Sequence, residues 1–222
     1  MGIFSGILCL VCFCLLSAKA ASARLYLKKL DKILLIVHKP VSVFLVIICF
    51  VHICYVVPIL KNRNLLVAVS GIVIVSSMLL LISLCHMIKD RKKKILWHRI
   101  FVIFMALGVI GHFIIYLIDF NNYKRNVASI EINSINLKNV EDGLYIGECN
   151  VGYIYAKAEV KVKNGMIVSI NILEHRNERG QNAENIINYI ISEQEIDVDA
   201  VSGATNSSNV IKKAVEKAIT NE

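Results

Sequence analysis

At 222 residues, 56% of them apolar and 19% charged, with a mean hydropathy of +0.60, the chain is too apolar for one ordinary water-soluble domain. Its formal charge of +8 would suit a nucleic-acid binder, but residues 1–125 hold 16 Lys/Arg and three acids (Asp31, Asp90, Asp119), whereas residues 126–222 hold nine Lys/Arg and fourteen Asp/Glu. The acidic half argues against a nucleic-acid partner, and the basic half is explained by loops beside apolar spans.

In chain order, the first apolar stretch is Gly2–Ala18. Ala18-Lys19-Ala20 resembles a signal-peptide cleavage site, but no Lys or Arg precedes the apolar run, which favours a retained helix. Three longer stretches follow, about Ile33–Leu60, Leu65–Ile88 and Ile95–Ile118, each meeting the roughly 20 residues that cross a bilayer. With the N-terminus outside, the inner flanks at 19–39 and 89–99 hold twelve Lys/Arg against four in the outer flanks at 61–63 and 124–125. Positive charge collects on the cytoplasmic side, so the acidic half is expected outside the cell membrane. The architecture expected is a four-helix transmembrane bundle over residues 1–119, a linker over 120–141 and a small extracytoplasmic α/β domain over 142–222. Six cysteines, Cys9, Cys12, Cys14, Cys49, Cys54 and Cys85, lie in the spans as small hydrophobes. Cys149 alone lies in the exported half, where one thiol closes no internal disulfide.

Histidine inside a membrane span is costly and points to function. His38 and His52 are fourteen positions apart on the second span, and His98 and His112 are fourteen apart on the fourth. Fourteen residues bring a side chain back to nearly the same helix face, ~21 Å along the axis. The second and fourth spans run in the same direction, so His38 pairs in depth with His98 and His52 with His112. Two stacked pairs of imidazoles are what two b-type haems need as axial ligands. Gly108 and Gly111 leave backbone room near His112. Lys39 and Arg99 either meet haem propionates or, the favoured reading, anchor the interface. Interhelical hydrogen bonding is the competing account of each imidazole. Pro40 would place His38 just outside a helix that starts there, so the outer site, His52 with His112, is the safer one. His86, at a comparable inner depth, reads first as a bystander, then as a substitute ligand or a quinone-pocket residue. The paired spacing resembles that of respiratory cytochrome b and of smaller ferric-reductase-like membrane domains.

Residues 120–141 are Asn-rich, with a reach of ~26 Å if flexible and less if Asn126–Val140 pairs as a strand. Beyond them, Leu144–Cys149, Tyr153–Lys163 and Met166–Glu174 read as strands, and Asn164-Gly165 between the last two is a hairpin signal. A helical stretch at about 183–193 precedes the loop Asp197 to Thr205. A final helix follows, with Val210, Ile211, Ala214, Val215, Ala218 and Ile219 on one apolar face. Ser202-Gly203-Ala204-Thr205 delivers a hydroxyl to a helix N-terminus, where free amides favour a phosphate. A capping segment with Ser207 or Ser208 at the helix start has the same appearance. Asn206-Ser207-Ser208 also fits a glycosylation sequon, a pattern common by chance.

Residues 142–219 resemble the FMN-binding domain of the flavoprotein subunits G of the Rnf complex and C of the sodium-pumping NADH:quinone oxidoreductase. The matching residues are Asp142 to Gly147, Asn164 to Val168, Glu174-His175 and Asp199 to Thr205; the loop Arg176–Ala183 departs from the family's pattern. The resemblance implies FMN joined through a phosphoester to Thr205, with Asp199, Ser202, Gly203, Ala204, Glu174 and His175 around it. His175 is expected to line the flavin or hold structure rather than act as a base, and no residue is singled out as catalytic. Together the halves imply electron transfer through two haems to an extracytoplasmic covalent FMN. The implied partners are a flavin transferase, a membrane quinol or redox-complex subunits, and an external acceptor. A membrane-anchored FMN-binding sensor, or a non-haem accessory subunit, is the alternative.

Overall fold

The computed structural model describes residues 2–177 and 179–220, with the side chains of all of these except 61 and 62. Met1, Asn221 and Glu222 at the ends of the expected modules, Glu178 in the Arg176–Ala183 loop and the Lys61 side chain of the outer flank lie outside the described residues. The chain divides into two compact units, Met1–Tyr116 and Leu117–Glu222.

The first unit holds four helices long and apolar enough to cross a membrane: α1 (Gly2–Arg24), α2 (Lys28–Val56), α3 (Leu65–Met87) and the start of α4 (Arg91–Ala128). Large apolar side chains such as Ile36, Phe50 and Ile103 face outward, as lipid-facing positions do. α1 and α2 form a tight antiparallel hairpin, turning at Tyr26 in the left-handed region (φ 55°). The Lys19 ammonium and the Ser22 hydroxyl donate to Asp31 Oδ1 at 2.6 and 3.1 Å, closing the hairpin's base. Among the described residues the other bundle helices stand farther apart. Pro40 lies inside α2, which begins twelve residues earlier at Lys28. His38 is therefore part of a continuous helix; the expected break does not occur.

The second unit is built on a three-stranded antiparallel meander, β1 (Gly143–Asn150), β2 (Tyr155–Lys163) and β3 (Met166–Arg176), in the order β1-β2-β3. Asn164 and Gly165 both take positive φ (53° and 69°), the type I′ geometry that matches strand twist in a two-residue hairpin. The Asp142 carboxylate accepts the Asn164 amide at 2.6 Å, so the start of β1 braces that turn. Helix α5 (Ile186–Glu193) follows a short 3-10 turn, Gln181–Asn185, and α6 (Thr205–Thr220) closes the domain. The apolar face expected on α6 is the one buried: Val210, Ile211, Ala214, Val215, Ala218 and Ile219 all lie in the core. They pack on Ala156, Ala158, Val160 and Val162 of β2, whose alternation turns every second residue inward. Small residues set the spacing, with Gly147 of β1 lying against the α6 backbone at Ala214 and Ala218.

Residues 120–141 are neither a free linker nor a paired strand. α4 continues to Ala128, and Tyr123, Val127, Ile130, Ile132, Ile135 and Val140 pack on the domain core. Asn133 Nδ2 donates to Glu216 Oε1 at 2.9 Å, and Lys213 Nζ to the Glu131 carbonyl at 3.0 Å, fixing this segment along α6. Ile130, Ile132 and Ile135 supply part of that packing, and the partial alternation that permits a strand here places them on the domain core instead.

Candidate functional site

In the second unit, candidate chemistry gathers at the N-terminus of α6. The amide of Ala204 donates to the Val201 carbonyl at 2.9 Å, closing a turn whose third residue, Gly203, sits at φ 76°. A side chain is strained there, which is why the loop carries glycine. Val201 donates its own amide to Ser208 Oγ at 3.1 Å, tying the turn to the second turn of the helix. Ser208 is thus an internal brace and Ser207 is buried; the helix begins at Thr205, ahead of both. Ser202, Gly203 and Thr205 are exposed, Ala204 is buried beneath them, and Asp199 is exposed upstream. The first-turn amides of an α-helix have no intrahelical partner, so an exposed threonine hydroxyl stands here beside an anion-favouring helix end. Lys212, buried on α6, donates from Nζ to Asp197 Oδ1 at 2.9 Å and to the Val198 carbonyl at 3.0 Å, which holds the start of the same loop.

The loop after β3 reaches this helix end. A Cβ added at Gly180 would overlap the buried Ser207 side chain, so this loop lies directly on the first turn of α6. Gly180 donates its amide to Asn177 Oδ1 at 2.9 Å, and Asn177 Nδ2 stands 3.3 Å from His175 Nδ1. His175 Nδ1 also lies 2.9 Å from Glu184 Oε1, while its side chain is 1% exposed and its Nε2 is buried with no hydrogen-bond partner. An orphaned ring nitrogen of this kind is costly in water-excluded surroundings and fits a site meant to meet a polar ligand atom. Glu174 is half-exposed and pairs with Arg176, Nε to Oε1 at 3.0 Å. The Arg176 guanidinium covers the Tyr155 ring at 4.2 Å from its centroid. Tyr155 donates to Glu148 Oε2 at 2.7 Å, and that bond to a carboxylate raises its phenol pKa. Burial raises that of the Cys149 thiol.

On the other side of Thr205, Asn206 Nδ2 donates to the Tyr123 hydroxyl at 3.0 Å. Tyr123 stacks on Tyr153 with ring centroids 4.5 Å apart and planes at 12°. Pattern reading of the sequence does not reach Tyr123, Tyr153 or Gly180, whose partners lie far away in the chain.

In the membrane unit the four histidines predicted as ligands are half-buried, while His86 is exposed in the last turn of α3. The rings of His38 and His98 lie 6.1 Å apart, centroid to centroid, at 62°. Two imidazoles each ~2 Å from one shared metal would be about that far apart. His52 Nδ1 lies 3.1 Å from the Gly2 carbonyl oxygen, which can only accept, so this nitrogen carries the proton. Ser5 Oγ, 3.1 Å from the same nitrogen, spends its own proton on the Gly2 carbonyl at 2.8 Å. His112 also meets a serine: Ser70 Oγ donates to the Val67 carbonyl at 3.0 Å and stands 2.8 Å from His112 Nδ1. A proton on Nδ1 would leave the Nε2 lone pair of each ring available to a metal, which is the usual role of such an anchor. In the other pair, Cys85 Sγ is 3.8 Å from His98 Nδ1, and His38 Nδ1 is buried without a partner. Gly6 and Gly71 make room for the His52 and His112 rings, and a Cβ on Gly111 would meet nothing within 4 Å. Gly108 faces Ile74. Among the described residues, no three His, Cys, Asp or Glu side chains gather into a metal site.

The sequence model of the FMN-binding domain family matches residues 152–220, which span β2, β3, α5 and α6 and include Thr205. No curated protein and no solved structure matches the chain. The domain match supports a flavin-related redox role for the second unit.

Proposed function

We propose that the chain is a membrane-anchored flavocytochrome that passes electrons between two b-type haems in its helical unit and FMN carried covalently on Thr205. The observation that supports this most directly is the FMN-binding domain match over a fold that exposes the Thr205 hydroxyl at the start of α6. FMN exchanges one or two electrons and haem exchanges one, so the two groups suit consecutive steps. For the flavin, the Ser202-Gly203-Ala204 turn and the first-turn amides of α6 suit its phosphate, and the orphaned Nε2 of His175 suits a polar atom of the group. For haem, His52 and His112 would bind the outer macrocycle, and His38 with His98 the inner one. The anchored Nδ1 atoms and the wide helix spacing support that assignment. The basic inner flanks support an extracytoplasmic place for the flavin domain. A flavin transferase, a membrane quinol or redox-complex subunits, and an external acceptor are the partners this reading requires.

Two measurements test it. Denaturing electrophoresis of the native protein should show a fluorescent flavin band that Thr205→Ala abolishes; a band that survives the substitution rejects the linkage. Reduced-minus-oxidised spectra should show b-type bands that weaken when His52 or His112 becomes alanine. Flavin with no porphyrin would favour the alternative, a flavin-bearing membrane sensor or non-haem accessory subunit. In that reading the serine–histidine contacts are only interhelical glue.

A further inference from the structure

We infer that the Tyr123–Tyr153 stack is the surface on which the isoalloxazine ring of Thr205-linked FMN packs, an inference that rests on the flavinylation reading above. Three observations converge on it. Tyr153 is 5% exposed, whereas Tyr123, stacked on it at 4.5 Å, is only half-buried, so the pair is a rigid aromatic platform open at the Tyr123 end. Phe120 supports it from the side, with its ring centroid 6.3 Å from each tyrosine. The platform is tied to the attachment point, because the Tyr123 hydroxyl accepts from Asn206, the residue after Thr205.

A five-carbon ribityl chain is long enough to carry a ring from a phosphoester on Thr205 to a platform held one residue away. Stacked aromatic pairs favour offset, near-parallel contact, and the electron-poor oxidised flavin complements an electron-rich phenol. The stack therefore restricts where the flavin can lie, and Asn206 is a positioning residue. Its side chain, though exposed, is tied to the Tyr123 hydroxyl, which accounts for an asparagine there without invoking a glycan.

A phenol in contact with an excited flavin quenches its emission by donating an electron that then returns. Native full-length protein should thus be weakly fluorescent and should brighten severalfold on denaturation. Tyr123→Leu should brighten the native protein severalfold while leaving the in-gel flavin band unchanged. Tyr123→Trp, which keeps a stacking electron donor, should stay dim. Native emission that does not change in Tyr123→Leu, at equal in-gel flavin, overturns the inference. Brightening in the Trp variant overturns it as well, because loss of local structure would then explain both. An unsubstituted protein with no in-gel flavin rejects the flavinylation reading, and this inference falls with it.

Discussion

Gly147 on β1 lies flush against Ala218 on α6, so close that a Cβ on the glycine would overlap the Ala218 amide nitrogen and the Ala214 carbonyl oxygen. The sheet and helix meet there through backbone, and neither atom can move as a side-chain tip could. Gly147→Ala should therefore destabilise the second unit by about 1–3 kcal/mol, the usual effect of overpacking. Pulse proteolysis in urea, read on the fragment containing α6, gives the measurement. A variant as resistant as the parent would mean that the interface is looser than described.

Lys212 is buried, whereas its partner Asp197 has a side chain 58% exposed. The two ends of this ion pair should differ in consequence. Lys212→Met keeps the stem but leaves the Val198 carbonyl without its donor, an expected loss of about 1–3 kcal/mol. Asp197→Asn removes only a solvent-screened partner and should cost less than about 1 kcal/mol. The order of urea midpoints checks this, and equal effects would contradict it. Because Lys212 holds the loop that leads to Thr205, the Met variant should also show faster proteolytic nicking around residues 197–201.

The aqueous half was largely legible from residue types because its signals are local. Asn164-Gly165 dictates the hairpin, and the α6 apolar face follows from helical spacing. The loop before Thr205 needs Gly203 for its positive φ. What escaped detection depends on contacts distant in sequence. The Asn-rich composition of 120–141 suggested a linker, but Ile130, Ile132 and Ile135 are held by the domain core rather than by one another. Tyr123 meets Asn206 across 83 positions, and no periodicity encodes that pairing. In the membrane half, the fourteen-residue spacing predicts which histidines share a depth, and the structure brings the His38 and His98 rings within 6.1 Å of one another. The Ser5 and Ser70 anchors come from neighbouring helices and carry no pattern of their own.

Alkaline pH should weaken the second unit. Both Tyr155, through its bond to Glu148, and Cys149, through burial, have raised pKa values in the folded state. A raised folded pKa favours the protonated form, so the contribution is intact below the unfolded values, about 8.5 for Cys and 10 for Tyr, and is lost as pH rises above them. Stability should be flat towards neutrality from above and fall beyond about pH 9. Tyr155→Phe and Cys149→Ala should each lower the plateau and flatten part of the alkaline slope. Slopes identical to the parent's would show that other groups govern the fall.

Ser70 offers a test of the haem reading that does not remove a ligand. Its hydroxyl donates to the Val67 carbonyl and stands 2.8 Å from His112 Nδ1, so in the haem reading it accepts the Nδ1 proton and holds the ring's rotation and tautomer. Without it the ring is free to rotate and to place its proton on Nε2, the nitrogen that an axial ligand must keep bare. Loss of such an anchor typically weakens metal binding ~10–100-fold. Ser70→Ala should accordingly weaken haem binding at the outer site by that factor in titrations of haem-depleted protein and leave the inner site unchanged. Ser70→Thr, which keeps the hydroxyl, should restore it. If Ser70→Ala binds haem as tightly as the parent, His112 is not an anchored ligand. If the native protein yields no pyridine haemochromogen, the serine contact reverts to an interhelical hydrogen bond, and its loss should lower only the stability of the helical unit, by about 1 kcal/mol.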